Sequence, residues 1–240
     1  MSAPWIHVQT LPHAGGGSVA ISADEARHAA GSRRLRGGDA VTLFDGQGTV
    51  AAAHLVVGTA TAVQAQFSVV ERRTPATPRI EIASAIPKGD RVATLLESIA
   101  PLAVAAWTPL ECRHSVVRCS PPLVQRAQRV LIAACKQSRQ PFVPQIAPAC
   151  SVAECCDDAR RRSLQVFLAH PSVAADELPP AVSGDGVLVL IGPEGGFSAE
   201  EIGEAESRGA RRMSLGASIL RIELAASCAA ALWRLSPQRK

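Results

Sequence analysis

Val187-Leu-Val-Leu-Ile-Gly-Pro-Glu-Gly-Gly-Phe-Ser198 decides the fold. Residues 187–191 are an unbroken apolar run, as expected of a strand buried on both faces in a parallel sheet. A glycine-rich turn follows. Ser198 then reads as an N-cap, with Glu201 three residues on to complete a capping box, so a helix is predicted over Ser198 to Arg208. Strand, tight turn and helix make the repeating unit of an α/β domain. Ligands of open α/β sheets bind outside the carboxyl ends of the strands, where a helix start offers free N–H groups. Gly192, Gly195 and Gly196 let backbone approach a ligand closely and permit positive φ. The stretch is neither a Walker A loop nor a dinucleotide fingerprint, because the Gly-Lys-Ser/Thr and G-x-G-x-x-G spacings are absent. Taken alone, a tight strand-to-helix turn explains it equally well.

Outward from this stretch the alternation continues. Ile80 to Ile86 and Leu164 to Ala169 are predicted strands. Asp90 to Ala100 is a predicted helix with Val92, Leu95, Leu96 and Ile99 on one face. Residues 122–138 form another, with Leu123, Ala127, Val130, Leu131 and Ala134 inward and Arg126, Arg129 and Lys136 on the other side. Glu223 to Leu235 is a mostly apolar last helix. Residues 79–240 therefore read as an α/β domain with a parallel sheet. Two prolines in Arg73-Thr-Pro-Ala-Thr-Pro78 mark a linker over 73–78. Residues 1–72 read as a small β-barrel with one short helix. Ser22 is its predicted N-cap, boxed by Glu25. Strands are expected at 41–44, 50–57 and 67–70, with Asp45-Gly46 as a hairpin turn.

A second stretch, Met213-Ser-Leu-Gly-Ala-Ser-Ile-Leu-Arg-Ile-Glu-Leu-Ala225, bears on chemistry. A short strand and loop at Leu215-Gly216 lead through Ile219-Leu220 to Arg221 and Glu223, which open the last helix. Glu223 suits the positive end of the helix dipole, whereas Arg221 is opposed by it and requires a partner or a ligand.

Composition narrows the class. With 47% hydrophobic residues the 240-residue chain can bury a sizeable core. No apolar run approaches the roughly 20 residues of a membrane helix, and the N-terminus lacks a secretory pattern, so a cytoplasmic protein is expected. The seven cysteines include no C-x-x-C pair, so no disulfide framework and no metal site are expected. Residues 73–165 carry thirteen Lys/Arg against seven Asp/Glu, a basic surface that can attract a polyanion.

Ile191-Gly-Pro-Glu-Gly-Gly-Phe197 followed by Leu215-Gly-x-x-Ile-Leu-Arg221-x-Glu223 resembles the signature of the 16S rRNA (uracil-N3)-methyltransferase family. Pro87-Lys-Gly-Asp-Arg91, Lys136-Gln-Ser138 with Val143-Pro144, Glu25-Ala-x-His28, Arg34-Leu35, Gly38-Asp39 and Phe44-Asp-Gly46 extend the resemblance along nearly the whole chain. It implies an α/β C-terminal SPOUT domain with a deep trefoil knot, preceded by a PUA-like barrel that helps hold RNA. It implies a homodimer, with the knot near the subunit interface. It implies S-adenosylmethionine as cofactor, held by Leu190, Ile191, Gly192, Pro193, Glu194, Gly195, Gly196, Leu215, Gly216, Ser218, Ile219 and Leu220. The implied partner is 16S rRNA or the small ribosomal subunit. Departures from the family pattern fall at Leu224, at Pro101-Leu-Ala-Val104, at Gln137-Ser-Arg-Gln140 and at Ser218.

Methylating uracil N3 requires an imide proton to leave, and Arg221 suits the stabilisation of the resulting negative charge. Glu223 either orients Arg221, accepts a proton, or simply complements the helix dipole. His28, Arg34, Lys88, Arg91, Arg126 and Arg139 are candidate RNA contacts, though each taken singly is equally well a solvated surface charge. Cys135 is rejected as a nucleophile, because no neighbouring His activates it and no covalent adduct is needed. Two other classes remain open: a SPOUT enzyme with another RNA target, and an RNA-binding module without catalysis. Cofactor binding separates the latter, and mapping of modified nucleosides separates the former.

Overall fold

The first seventy-odd residues form short strands because small apolar and polar side chains alternate along them. The computed structural model describes residues 3–27, 36–57, 63–171, 182 and 184–235. In this region the strands are β1 (Trp5–His7), β2 (Gly17–Ala20), β3 (Ala40–Phe44), β4 (Thr49–Val57), β5 (Val63–Phe67) and β6 (Glu71–Arg72). Residues 23–27 are helical (α1). The sheet order is β1-β3-β4-β5-β2, with β6 on β4; β1 and β3 are parallel and the other pairs antiparallel. Along β4, Ala51, Ala53 and Leu55 face the core while Ala52, His54 and Val56 face out, the period-2 pattern of a half-buried strand.

Three expectations shift here. The strand placed at 67–70 lies at Val63–Phe67, where Ala65 and Phe67 are buried between exposed glutamines, and Val69 beyond it is 63% exposed. Asp45-Gly46 begins a longer turn, in which the Asp45 carboxylate accepts from the backbone N–H of Gln47 (2.8 Å) and Thr49 (3.0 Å). Ser22 Oγ accepts from the Glu25 N–H at 3.2 Å, but the Glu25 carboxylate turns to Lys136 Nζ at 2.7 and 2.9 Å, a cation outcompeting the cap for it.

The chain divides into two compact units. One comprises Met1–Pro75 with Cys135–Val143, and the other Ala76–Ala134 with Pro144–Lys240.

The second unit is built on β7 (Arg79–Ala85), β8 (Ala106–Leu110), β9 (Gln145–Ile146), β10 (Leu164–Ala169), β11 (Gly186–Ile191) and β12 (Arg211–Met213). They run parallel in the order β12-β10-β11-β7-β8-β9. Its helices are α2 (Arg91–Ile99), α3 (Pro121–Ser138), α4 (Val152–Arg161), α5 (Ala199–Ser207) and α6 (Ile222–Leu235). Every residue of β11 is buried, as its apolar run required. The amino end of the sheet holds a buried acid, Glu81, whose carboxylate accepts from Arg79 Nε (2.6 Å) and Arg162 Nη1 (2.7 Å); such pairing is what makes a buried charge tolerable. Among the described residues no helix is long and apolar enough to cross a membrane, and no cluster of side chains could hold a metal ion.

Candidate active site

The glycine loop leaves β11 at Ile191 and turns back tightly, with the Gly196 N–H donating to the Pro193 carbonyl at 2.8 Å. Of the three glycines expected to allow positive φ, only Gly196 uses it, at +73°. The other two are short of space. A Cβ on Gly192 would sit 3.1 Å from the Phe197 ring, and one on Gly195 would sit 3.2 Å from His114 Cβ. The predicted capping box closes: Ser198 Oγ accepts from the Glu201 N–H (3.2 Å) and Glu201 Oε2 accepts from the Ser198 N–H (2.7 Å). The second oxygen of Glu201 accepts from the Arg113 N–H at 2.8 Å, so this cap also ties in the loop after β8.

The second loop follows β12. Leu215-Gly216 is not a strand, because the ladder ends at Met213. The Met213 carbonyl accepts from the His170 N–H (2.9 Å), Ser214 Oγ accepts from the Gly216 N–H (3.2 Å), and Gly216 takes φ +116°, which folds the chain away from the sheet. Residues 218–221 then lead into α6, and the Arg221 carbonyl accepts the helix's first bond, from the Ala225 N–H at 2.8 Å.

Between these loops lies a cavity of about 480 Å³. It is lined by residues 169–171, 191–197, 215–216, 218–222 and 225. It sits at the carboxyl ends of three neighbouring parallel strands, where α/β sheets bind ligands, and its size suits a small molecule. The loop residues expected to hold a cofactor line it. Leu190 does not: it is fully buried within β11, paired with Leu168 on β10 and Ala83 on β7, one residue short of the strand's end. Ala169, His170, Pro171, Phe197, Ile222 and Ala225 also line the cavity. The strand order reveals the first three, since it sets the end of β10 between those of β11 and β12. Ile219, at the rim, is 89% exposed, an apolar side chain with nothing yet covering it.

Arg221 lines the cavity with an exposed side chain, and among the described residues no carboxylate pairs with it. Glu223 is turned elsewhere. Its Oε2 is buried, has no hydrogen bond among the described residues and lies 4.0 Å from Arg91 Nη1. The carboxylate expected to orient Arg221 faces Arg91 instead.

The expected RNA contacts scatter. Lys88 is exposed in the turn after β7. Arg91 is engaged by Glu194 at 2.8 Å, which opposes its reading as a free phosphate contact. Arg126 meets Asp90 at 2.6 Å, an exposed pair that water and RNA can still reach. Arg139 is exposed at φ +58° in the segment 135–143 of the first unit. His28 and Arg34 lie outside the described residues. Cys135 is buried, its thiol pushed up to about 12 by desolvation, which removes it as a nucleophile.

Residues 74–234 match the RNA methyltransferase domain family. The chain belongs to that family. Residues 21–68 match the RNA methyltransferase PUA domain. The chain is 28% identical over 239 residues to ribosomal RNA small subunit methyltransferase E of Mycobacterium bovis, covering 95% of this chain and 90% of that protein. The crystal structure of the Neisseria gonorrhoeae ribosomal RNA small subunit methyltransferase E bound to S-adenosyl methionine superposes with a TM-score of 0.83 at 25% identity, over 96% of each chain. The Legionella pneumophila methyltransferase Lpg2936, in complex with bound SAM, gives 0.87 at 26% identity over 98% of each. Arg221 is a cation lining the cavity at the strand ends.

Proposed function

We propose that the chain transfers a methyl group from S-adenosylmethionine to N3 of a uridine in the 16S rRNA of the small ribosomal subunit. The observation that carries this reading is the cavity itself: two glycine-bearing loops line it, and Arg221, whose guanidinium has no carboxylate partner among the described residues, stands at its edge. The residues fit the cofactor. Gly192, Gly195, Gly196 and Gly216 keep backbone bare along the walls, and Ile191, Leu215, Ile219 and Leu220 offer apolar surface to an adenine and its ribose. When bound, the cofactor supplies an electrophilic methyl on a sulfonium.

The chain's own residues supply the rest. Loss of the N3 proton leaves negative charge shared between N3 and the flanking oxygens. Arg221 stays cationic and places N–H donors where that charge develops. The loops hold donor and acceptor in line. A uridine in a duplex hides N3, so the target base must be unpaired or extruded. Residues 21–68, with exposed Arg139 and Lys88 as further cations, are assigned to holding RNA. Such a substrate places the enzyme in the cytoplasm, and the knotted path implied by the family resemblance accords with both loops meeting on one cavity.

A homodimer belongs to the same proposal. The outer side of α6 carries Leu224, Cys228, Ala231 and Leu235 at spacings of four, three and four, a continuous apolar stripe in which Leu224 is 50% and Leu235 75% exposed.

Deleting the gene and mapping modified nucleosides in 16S rRNA by mass spectrometry tests the function. Loss of one N3-methyluridine, restored by the wild-type gene, is the expected result. Loss of a ribose 2′-O-methyl or of another methylated base assigns a different RNA target, and an unchanged map removes the enzymatic reading. Light scattering at micromolar concentration tests the dimer.

A further inference from the structure

Arg91 is the first residue of α2, a position where the helix dipole opposes a cation, and the N-cap acid beside it, Asp90, is paired with Arg126. Three contacts hold it instead. Arg91 Nε donates to the Lys88 carbonyl at 3.3 Å, and Nη2 donates to Glu194 Oε1 at 2.8 Å. Nη1 faces Glu223 Oε2 at 4.0 Å, an ion-pair distance too long for a hydrogen bond. Glu194 belongs to the glycine loop and lines the cavity. Glu223 is in the first turn of α6, directly after the cavity-lining Arg221 and Ile222. Arg91 itself does not line the cavity.

We infer that Arg91 is a positioning residue that fixes the glycine loop against the start of α6 and so sets the width of the cofactor cavity. The inference rests on the proposed function, since it assigns S-adenosylmethionine to that cavity. The two loops come from the ends of different strands and are separated by the whole of α5 and β12. The guanidinium can serve two carboxylates at once because its donors form a rigid planar fork. Glu223 Oε2, buried and without a hydrogen bond among the described residues, gives the clasp its direction. A small approach of the α6 start would complete the second bond and satisfy that oxygen, and a buried acceptor left unmade is costly. Arg91 thus acts through Glu194, which lines the cavity, and Glu223, which follows the lining residues Arg221 and Ile222.

The test is a double-mutant cycle on the full-length protein, with S-adenosylmethionine titrated by calorimetry and methyl transfer measured in single turnover at saturating cofactor. Arg91→Ala is expected to raise the cofactor Kd about ten-fold, the scale of a charge-assisted hydrogen bond discounted for its partial exposure. The rate at saturating cofactor stays within a few-fold of wild type. Arg91→Lys, which keeps the charge but lacks the planar fork, falls between. Arg91→Ala combined with Glu194→Gln is expected to be no worse than Arg91→Ala alone, because both remove the charge pairing between the same two side chains. An unchanged Kd in folded Arg91→Ala, or two effects that simply multiply, overturns the inference. Where the alanine variant does not fold, a wild-type Kd in both Arg91→Lys and Glu194→Gln overturns it. Wild-type protein that binds no S-adenosylmethionine overturns the proposed function instead, and this inference with it.

Discussion

His114 Nδ1 lies 3.1 Å from the Gly196 carbonyl oxygen, and the same histidine's Cβ abuts position 195. With its proton on Nδ1 the ring donates to the middle of the glycine loop from a segment that follows β8. The loop that lines the cavity is therefore splinted from outside, by a side chain that does not itself line it. His114→Ala removes this donor and the wall beside Gly195. The cofactor Kd should rise about three- to ten-fold, the scale of one neutral hydrogen bond, with little change in methyl-transfer rate at saturation. Calorimetric titration checks it.

Gly192→Val should weaken cofactor binding by more than about ten-fold through displacement of a ring, since overpacking of this kind typically costs 1–3 kcal/mol. The first atom of the new side chain would meet the Phe197 ring at 3.1 Å, and Phe197 lines the cavity. Gly192→Ala, carrying the same Cβ without the branch, should show a smaller effect. Equal affinities for wild type and valine variant would refute the packing argument.

Arg221→Ala should lower single-turnover methyl transfer to small ribosomal subunits by about 10²–10³, the usual loss on removing one preorganised donor from developing negative charge. Cofactor affinity should change little, because the guanidinium is exposed at the cavity's edge and not enclosed by its loops. Parallel loss of affinity and rate would move Arg221 into the cofactor pocket.

Burial holds His7 below its ordinary value of 6.5; the neighbouring Lys136 acts the same way, while Glu25 and Asp45 oppose it. A histidine whose folded pKa is depressed binds fewer protons folded than unfolded in the window just below 6.5. Its contribution is therefore complete above pH 6.5 and diminishes as the pH falls through that window. His7→Gln should flatten the fall in Tm between pH 7 and pH 5.5 relative to wild type. An identical pH profile would exclude His7 as a source of that dependence.

Desolvation pushes the thiols of Cys112 and Cys135 up to about 12 and that of Cys156 up to about 11. At pH 8 all three remain protonated and buried, so iodoacetamide should leave them unmodified in native protein and alkylate them in denaturant. Peptide mass mapping reads the outcome residue by residue.

The sequence showed those parts of the molecule where a local pattern has one physical solution. The buried run 187–191, the Ser198/Glu201 box and the apolar faces of α2 and α3 each appear where periodicity and capping placed them. The box Ser151/Glu154 that starts α4 carries the same signal and was open to the same reading. Strands β1 and β12 have three residues each, too few for any period to show. The pairing of Arg91 with Glu194 joins residues 103 apart, and no local rule links them. Arg91 was therefore read as a cation for RNA when its position required carboxylates. Glu223 neighbours Arg221 in sequence, but its carboxylate faces Arg91, a contact no local rule reveals.

The segment Cys135–Val143 has a consequence for how this protein can be divided. It continues from α3, yet counts with the first seventy-five residues. It delivers Lys136 to Glu25, each only 16% exposed, and Phe142 to the turn at Gly48. A fragment cut after Pro75 would keep the glutamate and lose its cation, and would open the space beside Gly48. The small unit is thus not a bead on a string that recombination could detach and graft onto another enzyme. A swap between relatives must carry residues 135–143 along with the N-terminus to keep these contacts.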